Sequence, residues 1–145
     1  MDGTDFEMVE YQPFNPGRMS HKLHRPGLRY EVAISIAKCY IVHINGPFLC
    51  SYLHSLLGPQ EYYLADAGYR SGSGPAITRN ALPPDRRQMY VELMARHETV
   101  NRRFKEFRIL GSKFRHEEDK HGEVFRCIAV LVQIDIVSGH NTFNI

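Results

Sequence analysis

The chain has 145 residues and a formal net charge of +2, with 43% apolar and 23% charged residues. This length favours one domain with its own core, and the composition is typical of a soluble globular chain rather than a disordered or fibrous one. The three cysteines follow no metal or disulfide spacing, which predicts reduced thiols in an intracellular protein. No signal peptide is visible and no apolar run is long enough to span a bilayer, so we expect no membrane partner.

The first residues predict a short strand, because Phe6 and Met8 place apolar side chains soon after Asp2. The chain begins as though cut within that strand. Residues 11–27 contain three prolines and two glycines, which predict a loop with several turns.

Two strands joined by a turn are expected next. Residues 28–37 are rich in β-branched side chains, residues 38–39 suit a turn, and residues 40–44 predict a second strand that ends at Asn45-Gly46-Pro47. This arrangement predicts an antiparallel hairpin.

The middle of the chain predicts a short helix over 49–57 and an apolar strand over 61–69, which runs into Asp66 and breaks at Gly68. An acid followed by a glycine at a strand end suits a functional site, because glycine lets a backbone or a ligand approach closely. The same residues suit an ordinary turn equally well. Residues 70–84 are rich in glycine, serine and proline and predict a loop.

The clearest predicted element is a helix over residues 85–107, which contain neither glycine nor proline. Apolar residues recur there at intervals of three, four or seven, as on one buried helix face: Met89, Leu93, Val100, Phe104 and Phe107. At about 100° per residue, Glu98 falls almost opposite that face, beside Arg102 and Lys105. Taken alone, this predicts a solvated surface on which a Glu98–Arg102 pair contributes about 0.3 kcal/mol.

Positive charge is concentrated around this helix, with nine lysines and arginines between Arg86 and Arg115. Such a segment fits a phosphate backbone, although basic helices also serve as solubilising surfaces.

The C-terminal part of the chain predicts a second long helix. Gly111 ends the basic segment, and residues 124–137 are strongly apolar without turn residues, which predicts a buried helix, with a strand as the alternative because of their β-branched content. His116, His121 and Cys127 have no metal-ligand spacing, so we expect surface or core roles for them.

Three acids stand out: Asp2 in the first strand, Asp66 at the end of a later strand, and Glu98 on the long helix. Cleavage of phosphodiesters by two divalent metal ions requires carboxylates from separate elements that converge on ions about 4 Å apart. Oxygen ligands of this kind favour Mg²⁺ or Mn²⁺ over zinc. Because the chain has 16 acids, the spacing alone does not single out these three.

Five segments together resemble the DDE superfamily of transposase-type endonucleases, in particular its Harbinger-like branch. They are DGTDF at 2–6, PGLRYEV at 26–32, INGPF at 44–48, ADAGY at 65–69 and RHETVNRRFK at 96–105. The resemblance covers nearly the whole chain. It implies an α/β fold with an RNase H-like core, a mixed sheet flanked by helices, and one catalytic domain over residues 1–145.

The resemblance also implies a function. Asp2, Asp66 and Glu98 match the three catalytic acids of the family, which bind two divalent metal ions, Mg²⁺ or Mn²⁺. The implied chemistry is cleavage of DNA at transposon ends and joining of the 3′-hydroxyl to target DNA, in the nucleus.

Arg96, Arg102 and Lys105 are the residues that we expect to contact DNA, and the resemblance is compatible with a homo-oligomer. The chain begins at the first acid of the family pattern, so we expect an N-terminally truncated domain without the upstream DNA-binding region. The segment 50–60 is shorter than in the family and lacks the expected acid and tryptophan. These departures leave open an inactive remnant, or a nucleic-acid- or protein-binding module of the same fold. An unrelated α/β binding domain is the third alternative.

Overall fold

The computed structural model of the protein describes residues 2–38, 40–49, 63–64 and 76–140. Within these residues the fold is mixed α/β, with a four-stranded antiparallel sheet, a second sheet of two strands, and three α-helices. None of the described helices is long and apolar enough to cross a membrane.

The described elements follow in this order. The strands are β1 (Asp2–Glu7), β2 (Met19–Ser20), β3 (Arg25–Ile34), β4 (Ile41–Leu49), β5 (Tyr63–Leu64) and β6 (Ala76–Ile77). The helices are α1 (Arg87–Glu106), α2 (Arg108–Gly111) and α3 (Glu118–Val137). Short 3-10 turns cover Pro16–Arg18, Arg79–Ala81 and Pro84–Arg86.

Strand β3 organises the larger sheet, because β1, β2 and β4 all pair with it in antiparallel orientation. The register with β1 places Asp2 opposite Val32 and Glu7 opposite Gly27. The pairing of β3 with β4 confirms the predicted hairpin.

The predicted ends of that hairpin were wrong on both strands. Strand β3 begins at Arg25, inside the predicted loop, and β4 continues through Gly46 to Leu49. The register of the pair shifts between Arg29 and Glu31, and Gly46 adopts a φ of +125° beside this irregularity. A Cβ on Gly46 would lie 2.8 Å from the Arg29 carbonyl oxygen, so glycine lets the strand pass where the sequence suggests a turn.

Helix α1 confirms the long helix predicted over 85–107. Val100 and Phe104 are buried as predicted, but Met89 is 47% exposed, and the buried positions include the polar residues His97 and Asn101. The predicted face was therefore partly wrong, because only apolar residues were used to define it.

The two long helices pack on one face of the sheet through an aromatic cluster. The ring of Phe125 in α3 lies 3.9 Å from Tyr30 of β3, 5.3 Å from Phe6 of β1 and 5.0 Å from Phe104 of α1, measured between centroids. Burial of each such ring contributes about 1.5–3 kcal/mol, which makes this cluster the centre of the core.

Helix α3 confirms the second predicted helix but begins earlier, at Glu118. Only one of its sides is buried, since Val130 and Ile134 are 59% and 56% exposed. The helix ends at Val137 and is followed by Ser138 and by Gly139, which has a φ of +104°. His121 is fully buried, which confirms one of the roles expected for it.

Strands β5 and β6 pair in parallel, with Tyr63 opposite Ala76. Strand β5 lies within the predicted apolar strand, whereas β6 lies within a predicted loop. The helix predicted over 49–57 lies outside the described residues except for Leu49, which ends β4. Asp66 also lies outside them.

Candidate functional site

Strand β1 carries two buried carboxylates on opposite faces, because side chains alternate along a strand. Asp2 is 5% exposed and shares its face with Phe6, which packs against the helices. Asp5 is 2% exposed and lies on the other face. The two acids therefore occupy different surroundings although they are three residues apart.

Helix α1 meets Asp2 through Asn101. Asp2 Oδ2 accepts a hydrogen bond from Asn101 Nδ2 at 3.1 Å, and Oδ1 accepts one from the Gly3 backbone N–H at 2.8 Å. Lys22 Nζ lies 3.9 Å from Oδ1 and donates to the Gly3 carbonyl oxygen at 3.0 Å. These contacts hold the carboxylate between the head of β1 and the middle of α1.

Glu98 lies three residues before Asn101 on the same helix and is exposed. Residues three apart are neighbours on a helix surface, so Glu98 is one turn from the side chain that contacts Asp2. The predicted trio is not complete within the described residues, because Asp66 lies outside them. Among the residues that the structure describes, no group of three or more His, Cys, Asp or Glu side chains is placed to hold a metal ion.

The side chains around Asp2 fit a hard divalent cation in their donor chemistry. Asn101 is 6% exposed, and its Oδ1 has no hydrogen-bond partner within the described part of the chain. An unpaired buried acceptor costs about 1–3 kcal/mol. Carboxylate and amide oxygens are also the ligands that Mg²⁺, Mn²⁺ and Ca²⁺ prefer.

Asp5 has the contacts of a structural acid. Arg29 donates to both of its oxygens, from Nε at 2.6 Å and from Nη2 at 2.8 Å, and Ser20 Oγ donates at 2.5 Å. Burial works against the charged form, but the hydrogen bonds from Arg29 and Ser20 and the charge of Arg29 outweigh it and lower the pKa of Asp5.

His97 lies four residues before Asn101 and is 4% exposed. Burial lowers the pKa of His97 to about 3, so the ring is neutral near pH 7, although the Val32 backbone favours the protonated form. Neither ring nitrogen makes a hydrogen bond of normal geometry within the described residues. The sequence analysis did not predict that His97 and Asn101 are buried. The available signal was their spacing, because Asn101 follows His97 by four residues and precedes the buried Phe104 by three.

The three residues expected to contact DNA lie in different environments. Arg102 and Lys105 are exposed, with Arg102 Nε 3.9 Å from Glu106 Oε1. Arg96 is half-buried and donates from Nη1 to the Ile36 carbonyl oxygen at 3.1 Å, which ties α1 to the tip of the hairpin. Arg102 and Lys105 are therefore the more accessible of the three to a phosphate group.

Comparison of the chain with protein-family models, with curated proteins and with solved structures found no match.

Proposed function

We propose that the chain is a DDE-type endonuclease domain with an RNase H-like core, which cleaves and joins DNA phosphodiesters with two divalent metal ions. The observation that carries the proposal is the burial of Asp2 against α1, one helix turn from Glu98. The resemblance assigns the first and third acids to these two positions. Asp66, the second acid, follows β5 by two residues.

The strand order also supports the proposal. Strands β1, β3 and β4 form a sheet in which β3 pairs with both others in antiparallel orientation. The first acid lies at the start of β1, and the two long helices pack on the same face as that acid. An antiparallel arrangement of the first three long strands is compatible with the RNase H-like core that the resemblance implies.

Each group has a distinct task under this proposal. Bound divalent ions would activate the attacking oxygen and stabilise the leaving oxygen of the phosphodiester. Asp2, Asp66 and Glu98 would hold them, and the Asn101 hydrogen bond keeps the Asp2 carboxylate in one orientation. Arg102 and Lys105 supply exposed positive charge for the phosphate backbone.

A second candidate is a nucleic-acid-binding module of the same fold without catalysis. It is favoured by the exposed cations that lie before, in and after α1: Arg86, Arg87, Arg102, Lys105, Arg108, Lys113 and Arg115. Such cations bind phosphates whether or not the carboxylates are active, and this binding weakens as salt increases.

Nicking of supercoiled plasmid in Mg²⁺ or Mn²⁺ tests the first proposal. We expect metal-dependent nicking by the wild-type protein and a loss of at least about 100-fold in Asp66→Asn and in Glu98→Gln, because each removes a metal-binding charge. Glu92→Gln is the matched control, since Glu92 is another exposed acid on α1. It should nick at the wild-type rate.

The outcomes separate the candidates. Nicking that survives in Asp66→Asn and Glu98→Gln contradicts the assignment of the acids. Salt-sensitive DNA binding by a wild-type protein that does not nick in either metal identifies the binding module instead.

A further inference from the structure

Helix α1 uses a polar residue at a position where its neighbours are apolar. Asn101 is 6% exposed, and Val100 and Phe104 beside it are fully buried. A buried asparagine has an amide group that needs hydrogen-bond partners. Here the Asn101 Nδ2 group donates to Asp2 Oδ2, while Asn101 Oδ1 has no partner among the described residues. Packing alone would be served as well by leucine, so the contact with Asp2 requires an explanation.

The orientation of the amide follows from that contact. The reverse orientation would place Oδ1 against a carboxylate oxygen at 3.1 Å, and two acceptors repel each other. The Asn101 Nδ2 group therefore faces Asp2, and the amide oxygen is the atom left unsatisfied. A buried acceptor in this condition costs about 1–3 kcal/mol unless a ligand or a water contacts it.

We propose that Asn101 is a positioning residue that orients the Asp2 carboxylate for a divalent cation and offers its own Oδ1 to that cation or to a water bound to it. The inference rests on the proposed function, since it takes Asp2 as a metal ligand. Hydrogen bonds from Asn101 and from Gly3 fix one oxygen of Asp2 each. Removing such a supporting hydrogen bond lowers metal affinity by about 10–100-fold in known sites.

A neutral donor suits this task better than a charged one. The guanidinium that contacts Asp5 would neutralise the carboxylate and compete with a cation, whereas the Asn101 amide orients Asp2 without changing its charge. The Lys22 side chain is 52% exposed and its ammonium lies 3.9 Å from Asp2 Oδ1, so a divalent cation can displace it into solvent.

Isothermal titration of Mn²⁺ into the full chain tests the inference, with thermal unfolding measured beside it. Asn101→Leu keeps the packing but removes both polar atoms. We expect its Kd for Mn²⁺ to rise by about 10–100-fold. Its unfolding midpoint without metal should also fall, because Asp2 Oδ2 loses a buried donor. A purely structural asparagine would lower the midpoint and leave the Kd unchanged. Asn80→Leu, at an exposed asparagine, is the matched control and should change neither quantity.

Asn101→Asp is a second variant that does not depend on Asn101→Leu folding. A carboxylate beside Asp2 repels it without metal and shares a cation with it when metal is present. We therefore expect a lower unfolding midpoint without Mn²⁺ and a larger increase on adding Mn²⁺ than in the wild type.

The results distinguish this inference from the proposed function. A wild-type Kd in Asn101→Leu, binding that is unchanged in Asp2→Asn, or no binding by the wild type overturns the positioning role. The positioning role is also overturned if Mn²⁺ raises the unfolding midpoint of Asn101→Asp by no more than that of the wild type. Binding that depends on Asn101 in a protein that does not nick DNA leaves the positioning role in place and contradicts only the catalytic proposal.

Discussion

The two buried carboxylates of strand β1 are almost equally shielded from solvent, yet the cations beside them are held differently. Asp5 accepts hydrogen bonds from the nearly buried guanidinium of Arg29 and from Ser20, whereas Asp2 accepts them from the Asn101 amide and the Gly3 backbone N–H, with the exposed Lys22 ammonium 3.9 Å away. A buried acid joined to a fixed cation is part of the fold, because breaking that pair leaves a buried charge. The cation beside Asp2 is on a side chain that is 52% exposed, so it is not fixed to the carboxylate in the way that Arg29 is fixed to Asp5. The type of partner, rather than the degree of burial, distinguishes the two.

The largest effect is expected from Asp5→Asn. The Arg29 side chain is only 15% exposed, so loss of the carboxylate leaves a nearly buried guanidinium without its bidentate acceptor. We expect the free energy of unfolding to fall by about 3–5 kcal/mol, measured by urea denaturation. Glu7→Gln is the control on the same strand face.

Glu7 pairs with Arg25 at 3.2 Å and with Lys113 at 3.7 Å, and both cations are at least half exposed. Loss of such surface pairs costs less than about 1 kcal/mol. A similarly small loss of stability in Asp5→Asn would mean that Arg29 finds another acceptor. Asp2 and Asp5 would then not differ in their contribution to stability.

The pH dependence of stability separates the two faces of the sheet. On the helix side, burial lowers the pKa of His121 to about 4 and that of His97 to about 3, from an ordinary value of 6.5. At pH values between the lowered pKa of each histidine and its ordinary pKa of 6.5, the unfolded chain binds more protons than the folded one. Stability therefore falls as the pH decreases below 6.5, by up to about 1.4 kcal/mol per pH unit for each histidine.

Urea unfolding between about pH 7 and pH 5 measures this slope, which His121→Phe should reduce by about half. Phe125→Leu is the control, because it weakens the same aromatic cluster without removing a titrating group, and it should keep the wild-type slope. An unchanged slope in His121→Phe would contradict the neutral, buried state of His121.

Asp5 acts in a different pH range. Its pKa is lowered from 3.8, so its stabilising contribution is present above that value and is lost as the pH falls below it. The histidine contribution is lost at higher pH than the Asp5 contribution, so the two faces are distinguishable in one titration.

Because Tyr30 contacts His121, the slope of stability against pH is a better measure of the protonation of His121 than absolute stability is. Burial raises the pKa of Tyr30, so its hydroxyl keeps its proton, and the hydroxyl oxygen and His121 Nδ1 share a hydrogen bond at 2.7 Å. His121 Nε2 has no hydrogen-bond partner among the described residues. His121→Phe leaves the tyrosine hydroxyl unpaired, which lowers stability at every pH without changing the slope.

The helices were predictable from the sequence because hydrophobic spacing reports burial where the buried residues are apolar. The same method failed where they are polar, since His97 and Asn101 carry no hydrophobic signal and Met89 was wrongly placed in the core. The strand ends failed for a different reason. Proline and glycine at Pro26 and Gly46 indicate turns, whereas β3 pairs with β2 at Pro26 and β4 continues past Gly46.

For the candidate site, residue spacing suggested little and the resemblance supplied Asp2, Asp66 and Glu98. The resemblance did not indicate Asn101, because its role depends on a contact between residues 99 positions apart. Such a contact is a product of how α1 packs on β1, and no local pattern encodes it. The mixed α/β class and the antiparallel hairpin were predictable, whereas the partners of each carboxylate were not.

A smaller effect is expected from Asp2→Asn, the same kind of substitution as in the first prediction. An asparagine at position 2 can accept a hydrogen bond from Asn101 or from the Gly3 N–H but not from both, so one buried donor loses its acceptor. Urea denaturation without metal should therefore show a loss of roughly 1 kcal/mol. Saturating Mn²⁺ should stabilise the wild type by about 2.7 kcal/mol at 100 times its Kd and leave Asp2→Asn unchanged. A loss in metal-free Asp2→Asn as large as that in Asp5→Asn would make Asp2 a structural acid, because its charge would then stabilise the fold without any external cation.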